Sequence, residues 1–149
     1  MLGSDAIKRA LARGEGGVLN SVRYAIDERT ARECETAFQK GLEVGIENSV
    51  RSMIAISAKD DAMVTVLHDV WGFSRIEAVD RIVWVKRKIA VEGLDEVLAS
   101  KGKSPREIED FHRAYAVRSR LTHENALFVL WSEPDQLYRK LVEMGEPRR

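Results

Sequence analysis

Apolar side chains recur at every third or fourth position along most of the chain, which is the spacing of one face of an α-helix. The longest such stretch runs from about residue 18 to residue 56, contains no proline, and includes Phe38 and Leu42 in its apolar series. It predicts one long helix in the N-terminal half. No segment has a convincing strand pattern. The sequence therefore predicts an all-α fold, a single compact helical domain over residues 1–149 with six to eight helices.

Glycines mark the first predicted boundary. Ser4 can cap a first helix that ends at Gly14, and residues 14–17 predict a flexible break. Residues 1–17 are therefore expected to form a loosely attached N-terminal helix.

Three internal helices begin with the spacing of a capping box, a serine followed three residues later by an acidic residue. The pairs are Ser57 with Asp60, Ser74 with Glu77, and Ser104 with Glu107. The helix after Ser74 is predicted to end near residue 91, and a short separate helix is predicted over 95–100. Thr122 is predicted to cap the helix that follows it, and Pro134 to open the last one.

Two glycines interrupt the long helix, Gly41 and Gly45, one turn apart on one side. Each costs about 1 kcal/mol relative to alanine in a helix interior. Close approach of another helix, within the fold or across a dimer, would offset that cost, whereas a local weakness or kink is the simpler alternative. Gly41 and Gly45 are therefore self-association candidates, and a homo-oligomer is one expected state.

A tight corner joins two predicted helices at Trp71, Gly72 and Phe73. Gly72 stands where a left-handed residue ends a helix, and Ser74 caps the next one. These are the residues that a helix–helix corner needs. Two aromatic side chains around a glycine can also anchor a protein partner, so Trp71, Phe73 and Arg75 are partner-binding candidates.

The glycine helix and the corner share a set of residues with a known class of small proteins. The set is Gly41, Gly45, Leu67, His68, Asp69, Trp71, Gly72, Phe73 and Arg75. Through it, residues 37–82 resemble small uncharacterised proteins from phages and prophages of Gram-positive bacteria. Ser74 and Ile76 depart from that pattern, which has a second glycine and often a second basic residue there. The resemblance implies a mobile-element origin, and no functional residue transfers with it.

Composition narrows the function classes. Lys plus Arg and Asp plus Glu number 24 each, so the formal net charge is zero, whereas a dedicated nucleic-acid binder generally has a basic excess. No apolar run approaches the roughly 18 residues of a membrane span, and the N-terminus lacks the apolar core of a signal peptide. We therefore expect a cytoplasmic protein that makes no membrane contact.

Metal and cofactor chemistry have little support in the sequence. Cys34 is the only cysteine, which excludes an intrachain disulfide and a Cys-rich metal site. It is expected to be a small buried thiol inside the long helix. His68, His112 and His123 are far apart, and no pair has ligand spacing on one helix. No metal and no cofactor is predicted.

A helix-turn-helix is one alternative function. Residues 94–111 place Gly102 in the turn and Ser104 at the cap of a recognition helix over 105–115. The nucleic-acid candidates are Lys101, Lys103, Arg106 and Arg113. The same helix carries carboxylates that would face phosphates unfavourably, so an ordinary helical corner is the competing interpretation.

A ribonuclease is a second alternative. Arg118 is followed by four residues and then His123, a spacing similar to that of the HEPN ribonucleases, in which Arg and His line a dimer cleft and act on RNA. By this resemblance Arg118 would stabilise a phosphorane and His123 would move protons. Chance alone produces this spacing roughly a third of the time in such an Arg-rich chain. Thr122, as a cap, would break the helix that should hold both groups.

Protein binding is the function that the sequence favours. Trp84 lies beside Lys86 and Arg87, and an exposed tryptophan next to cations is a typical interface anchor, although Trp84 could instead cover a neighbouring helix. We expect a non-enzymatic, protein-binding accessory factor. The resemblance to phage proteins adds the expectation that it acts on a host or defence protein complex, as an inhibitor of host defence. A helix-turn-helix regulator and a HEPN-like ribonuclease remain the alternatives.

Overall fold

The computed structural model describes the backbone of residues 16–147 and the side chains of residues 26–147. Within that part of the chain it contains seven helices and no strand. In chain order they are α1 (Gly16–Ala55), α2 (Asp60–Trp71), α3 (Arg75–Ser100), α4 (Pro105–Ala114), α5 (Val117–His123), α6 (Asn125–Phe128) and α7 (Pro134–Met144). The all-α class, the number of helices and the long N-terminal-half helix are confirmed. Among the described residues, none of the helices has both the length and the apolar character that crossing a membrane requires.

The chain divides into two units, residues 1–46 and residues 47–149. Helix α1 begins at Gly16, so the second half of the break predicted over 14–17 is helical. Helix ends commonly shift by one or two residues, because the terminal turns hold few hydrogen bonds. The first half of that break and the N-terminal helix before it lie outside the described residues. The prediction of a single domain stays a prediction.

The core of the second unit lies between the C-terminal half of α3 and the helices that follow it. The buried cluster consists of Ala90, Leu94, Leu98, Val117, Leu121, Leu127, Leu137 and Leu141. At its edge the ring of Phe111 stacks on Tyr115 and Tyr138, with centroid distances of 4.3 and 5.8 Å. Replacing one such buried leucine by alanine typically costs about 2–5 kcal/mol. This cluster therefore fixes α5 and α7 against α3.

Helix α3 is one continuous helix of 26 residues, so the predicted end near residue 91 and the separate helix over 95–100 are wrong. The predicted break falls at Gly93, which lies against Pro134 at the start of α7. A Cβ atom added to Gly93 would lie 3.1 Å from the Pro134 Cβ atom. The glycine therefore permits close approach of α7 and does not end the helix.

Ser57 does not cap α2, and that prediction is wrong. The N-cap of α2 is Lys59, whose side chain makes no capping hydrogen bond. Ser57 has a left-handed φ of 57° and ends α1 instead. Its N–H donates to the Ile54 carbonyl at 2.8 Å, and the Ala58 N–H donates to the Met53 carbonyl at 2.9 Å. This is the Schellman pattern that usually has glycine at the left-handed position.

The other two capping boxes are present. The Glu77 N–H donates to Ser74 Oγ at 3.2 Å, and the Ser74 N–H donates to Glu77 Oε2 at 2.8 Å. Ser104 and Glu107 form the same reciprocal pair at the start of α4. The Ser104 backbone N–H, followed by Lys103, lowers the pKa of Glu107 to about 2. Before the first box, Gly72 has the predicted left-handed φ, at 72°.

Thr122 does not cap a helix, and that prediction is also wrong. It lies inside α5, where its hydroxyl donates to the Arg118 carbonyl at 3.0 Å. The next helix, α6, begins at Asn125. A threonine that bonds back to the carbonyl one turn earlier is satisfied within a helix, so its sequence pattern alone does not mark a helix start.

Four charged side chains connect the last turns of α1 to α3. Glu47 Oε2 accepts from Lys88 Nζ at 2.7 Å, and its other oxygen accepts from Arg51 Nε at 2.8 Å. Arg51 also donates to Glu92 at 2.8 Å. Because Glu47 is largely buried, with 14% of its side chain exposed, these bonds are less screened than surface pairs. The hydrogen bond from Lys88 is the main cause of the lowered pKa of Glu47.

A buried arginine ties α5 to the end of α7. Arg120 is 7% exposed and donates through Nε and Nη2 to both carboxylate oxygens of Glu124. Its Nη1 donates to the Gly145 carbonyl at 3.0 Å. A buried guanidinium with all these acceptors is satisfied, whereas removal of one partner would leave an uncompensated charge.

We expect Ser74→Ala to lower the free energy of unfolding by about 1 kcal/mol, because it removes the cap acceptor at the start of α3. Ser57→Ala should change it by less than about 0.5 kcal/mol, because Ser57 makes no capping bond through its side chain. Urea unfolding of both variants measures the difference. An equal loss in the two variants would contradict the assignment of Ser57 to the end of α1.

We also expect the Glu47 network to make stability depend on pH. The folded-state pKa of Glu47 lies below its ordinary value of 4.5, so its contribution is fully present above that value and is lost as the pH falls through the lowered pKa. Wild type should therefore lose stability more steeply than Glu47→Gln between about pH 5 and pH 3. Urea unfolding across this range, with Glu96→Gln on exposed α3 surface as the control, tests it. Parallel curves for wild type and Glu47→Gln would show that the network contributes nothing.

Candidate binding surfaces

One face of α1 carries exposed apolar and small side chains. Its residues are Cys34, Phe38, Gly41, Leu42 and Gly45, which follow one another at helical spacing and are called the α1 face below. Phe38 is 64% exposed and Leu42 is 36% exposed. Cys34 is also exposed, so the prediction of a buried thiol is wrong. Cys34 is uncovered because it lies in a segment, residues 26–44, in which every side chain is exposed.

Gly41 has open space where a side chain would project. A Cβ atom added there would meet no atom within 4 Å among the described residues. The described part of the chain therefore does not supply the close helix–helix approach that the sequence suggested for this glycine. Gly45 lies one turn further along the same face. Close packing against Gly41 would therefore have to come from outside the described residues.

Local interactions do little to hold this part of α1. Arg29 pairs with Glu33 at 2.8 Å, and Gln39 donates to Glu35 at 2.7 Å. Such pairs one turn apart stabilise a helix by about 0.2–0.5 kcal/mol each. Helices in proteins gain most of their stability from packing of an apolar face. A segment with all its side chains exposed is therefore well suited to being stabilised by a partner.

The Trp71–Gly72–Phe73 corner is mainly structural. The Gly72 N–H donates to the His68 carbonyl at 3.1 Å, and His68 Nδ1 donates to the Phe73 carbonyl at 2.7 Å. Trp71 and Phe73 are each partly buried, and the Arg81 guanidinium lies 5.8 Å from the Phe73 ring centroid. Of the three partner-binding candidates at this corner, Arg75 alone is fully exposed.

The predicted partner-binding run on α3 is divided between two sides of the helix. Trp84 is 45% exposed, and Lys88 Nζ lies 5.3 Å from its ring centroid. Lys86 is buried, binds both carboxylate oxygens of Asp60 at 2.7 and 2.8 Å, and lies over the Trp131 ring. The Lys86 ammonium is therefore not displayed to a partner. Trp84 is the exposed aromatic of this run.

A groove of about 350 Å³ separates α3 from α5, and it is called the α3–α5 groove below. Its lining is Trp84, Arg87, Lys88, Val91, Arg118, Leu121 and Thr122. None of these side chains is acidic. The groove thus brings Trp84 and Arg87, predicted as partner-binding residues, together with Arg118, predicted as a catalytic residue. Lys88, Val91 and Leu121 were not predicted as site residues, because no local pattern shows which residues of α3 face α5.

A second groove of about 660 Å³ continues from the first and shares Val91 and Arg118 with it. Within it His112 Nε2 forms a hydrogen bond with Asp95 Oδ1. His112 Nδ1 is buried and has no hydrogen-bond partner in the described part of the chain. The His112–Asp95 pair joins α3 to α4. No local sequence pattern predicts this pair, since its two residues lie on separate helices.

Most of the predicted nucleic-acid side chains are already bound within the protein. Lys103 pairs with Glu107 at 3.1 Å. Arg113 pairs with Glu109 at 3.2 Å and with Asp110 at 3.6 Å. Lys101 lies 4.9 Å from the centroid of the Tyr138 ring, and Arg106 is exposed on α4. The helix-turn-helix corner exists, with Gly102 in a left-handed turn, but acidic side chains offset much of its positive charge.

Arg118 and His123 lie in the same short helix, α5, and both are exposed. Five residues correspond to roughly 140° around a helix axis, so the two side chains leave α5 in different directions. Arg118 lines both grooves, whereas His123 lines neither. Within one copy of the chain, the structure therefore does not bring the two predicted catalytic residues together.

Metal-ligating side chains do not converge in the described part of the chain. There, no group of three or more His, Cys, Asp or Glu residues is placed to hold an ion. Comparisons with protein-family models, curated proteins and solved structures give no match. Arguments about function therefore depend on the surfaces themselves.

Proposed function

We propose that this chain is a non-enzymatic, protein-binding factor that pairs through the α1 face with an apolar helix of another chain. The observation that carries this proposal is the exposure of Phe38 and Leu42 beside the open space at Gly41. Large exposed aromatics are the usual anchors of protein interfaces. An amphipathic helix that docks by residues spaced three and four apart is a recurring recognition mode.

The small residues of the α1 face favour a helix as the occupant. Packed helices lie about 8–10 Å apart, and the distance falls where side chains are small. Gly41 leaves open space on this face, Gly45 lies one turn further along it, and Phe38 is exposed beside them. A second copy of this chain offers the same open space and the same exposed ring, so self-association through Gly41 and Gly45 is one form of the proposal.

The biological setting is a finer proposal. The resemblance of residues 37–82 to phage and prophage proteins supports a phage-encoded factor that binds a host or defence protein in the cytoplasm. The α1 face lies mostly within this segment. Small phage proteins often act by binding a host protein rather than by catalysis, which supports a binding function for this chain.

Capture experiments with α1 variants test the proposal. Tagged wild type should retain a stoichiometric protein from nuclease-treated host lysate, or a second copy of itself. Phe38→Ser should weaken that binding by about tenfold or more, because loss of a buried aromatic anchor typically costs over 2 kcal/mol. Dissociation constants for the identified complex, and sedimentation equilibrium for self-association, measure the change.

Lys40→Ser is the matched control, because Lys40 is exposed on the opposite side of α1. It should bind as wild type does. A fluorophore on Cys34 supplies an independent signal, since its emission should shift when the α1 face is covered. Equal binding by wild type and Phe38→Ser, with no shift at Cys34, would rule out the α1 face as the interface.

The ribonuclease alternative has a direct test. We expect the purified chain not to cleave RNA, because Arg118 and His123 do not line a common groove in one copy. Gel analysis of labelled RNA incubated with wild type and His123→Ala measures this. RNA cleavage that disappears in a folded His123→Ala variant would move the assignment to a dimeric ribonuclease.

A further inference from the structure

We infer that the α3–α5 groove is a second binding site, which takes an acidic peptide segment containing an apolar side chain. This inference does not depend on the α1 face, because its residues lie on other helices. It rests on two guanidinium groups, Arg87 and Arg118, that line the groove together.

Both guanidinium groups lack an acidic partner among the described residues, although the chain pairs many of its other cations. Lys88, beside them in the groove, is neutralised by Glu47 at 2.7 Å. Arg87 and Arg118 make no comparable ion pair. Since no acidic side chain lines this groove, the positive charge of the two arginines is uncompensated there.

Arg87 also has an unfilled hydrogen-bonding position. Its Nη2 donates to the Thr122 carbonyl at a long 3.5 Å, and its guanidinium lies 5.6 Å from the Phe128 ring centroid. Its Nε is buried and has no acceptor in the described part of the chain. Buried donors in native proteins are almost always paired, so an orphaned one indicates a missing acceptor such as an anion or a water. A carboxylate is an acceptor of the right charge and geometry for a guanidinium fork.

The remaining lining identifies the kind of molecule. Val91 and Leu121 are apolar, and the half-exposed Trp84 ring lies in the same groove. These side chains suit an apolar residue next to the bound carboxylate. A nucleic-acid backbone fits less well, because it offers phosphates but no apolar side chain for Val91 and Leu121 to contact. The observations therefore favour an acidic protein segment.

Short fluorescein-labelled peptides test the site. In each peptide one Leu, Phe or Trp is flanked by glutamates, and matched peptides carry glutamine instead. Anisotropy should show binding of glutamate peptides only. Arg118→Gln should weaken it by about tenfold or more, as expected for loss of a charge-assisted pair. Arg106→Gln removes the same charge from exposed α4 surface outside the groove, and it should bind nearly as wild type does.

Two further measurements keep the inference testable if one variant misfolds. Arg87→Lys keeps the charge but loses the guanidinium fork, so it should also weaken binding. In wild type, the NMR signal of the Arg87 Nε–H group should shift when peptide is added.

No peptide binding, binding unaffected by Arg118→Gln, or tighter Arg118-dependent binding of an oligouridylate would each overturn the inference. The last result would assign the groove to nucleic acid. Phe38→Ser should leave peptide binding unchanged, which separates this site from the α1 face.

Discussion

Burial of the C-terminal half of α3 is the constraint on which the second unit depends. Leu94 and Leu98 lie one turn apart and are buried in the cluster to which α5, α6 and α7 also contribute side chains. The absence of a side chain at Gly93 lets Pro134 approach, which sets the position of α7. Because Leu121 of α5 packs into the same cluster, the distance between α3 and α5 is fixed as well. The α3–α5 groove is therefore a consequence of core packing, and its arginines are held by rigid helices rather than loops.

Local features of the fold could be predicted from sequence, and features that depend on distant contacts could not. The boxes at Ser74 and Ser104 involve atoms three residues apart, so their pattern is sufficient. Ser57 has the same pattern, but it occupies the left-handed position that ends α1 and therefore does not cap α2. Gly93 suggested a helix break, because local sequence does not show that this glycine makes room for Pro134, a residue far along the chain. Cys34 was expected to be buried because free cysteines usually are, but residue type does not show whether anything covers that part of the helix.

The candidate sites divide in a similar way. Trp84, Arg87 and Arg118 were each identified from sequence, but for two unrelated functions, and only the packing of α5 on α3 places them in one groove. Lys86 has almost the same sequence context as Arg87, yet it points to Asp60 and is buried. The pairing of Lys103 with Glu107, by contrast, follows from their spacing on one turn and could have been anticipated. Whether a predicted residue lies in a groove depends more on the direction of its side chain around the helix than on its residue type.

Helix α1 has two environments along one continuous backbone. In its last turns Glu47 and Arg51 are held by ion pairs to α3, whereas the side chains from residue 26 to residue 44 are all exposed. Local opening free energies follow such differences, so the exposed turns of α1 open more readily than its C-terminal turns. A partner that covers the weakly held turns also suppresses their opening. Part of the interaction energy is then used to stabilise the helix, which favours a reversible complex over a permanent one.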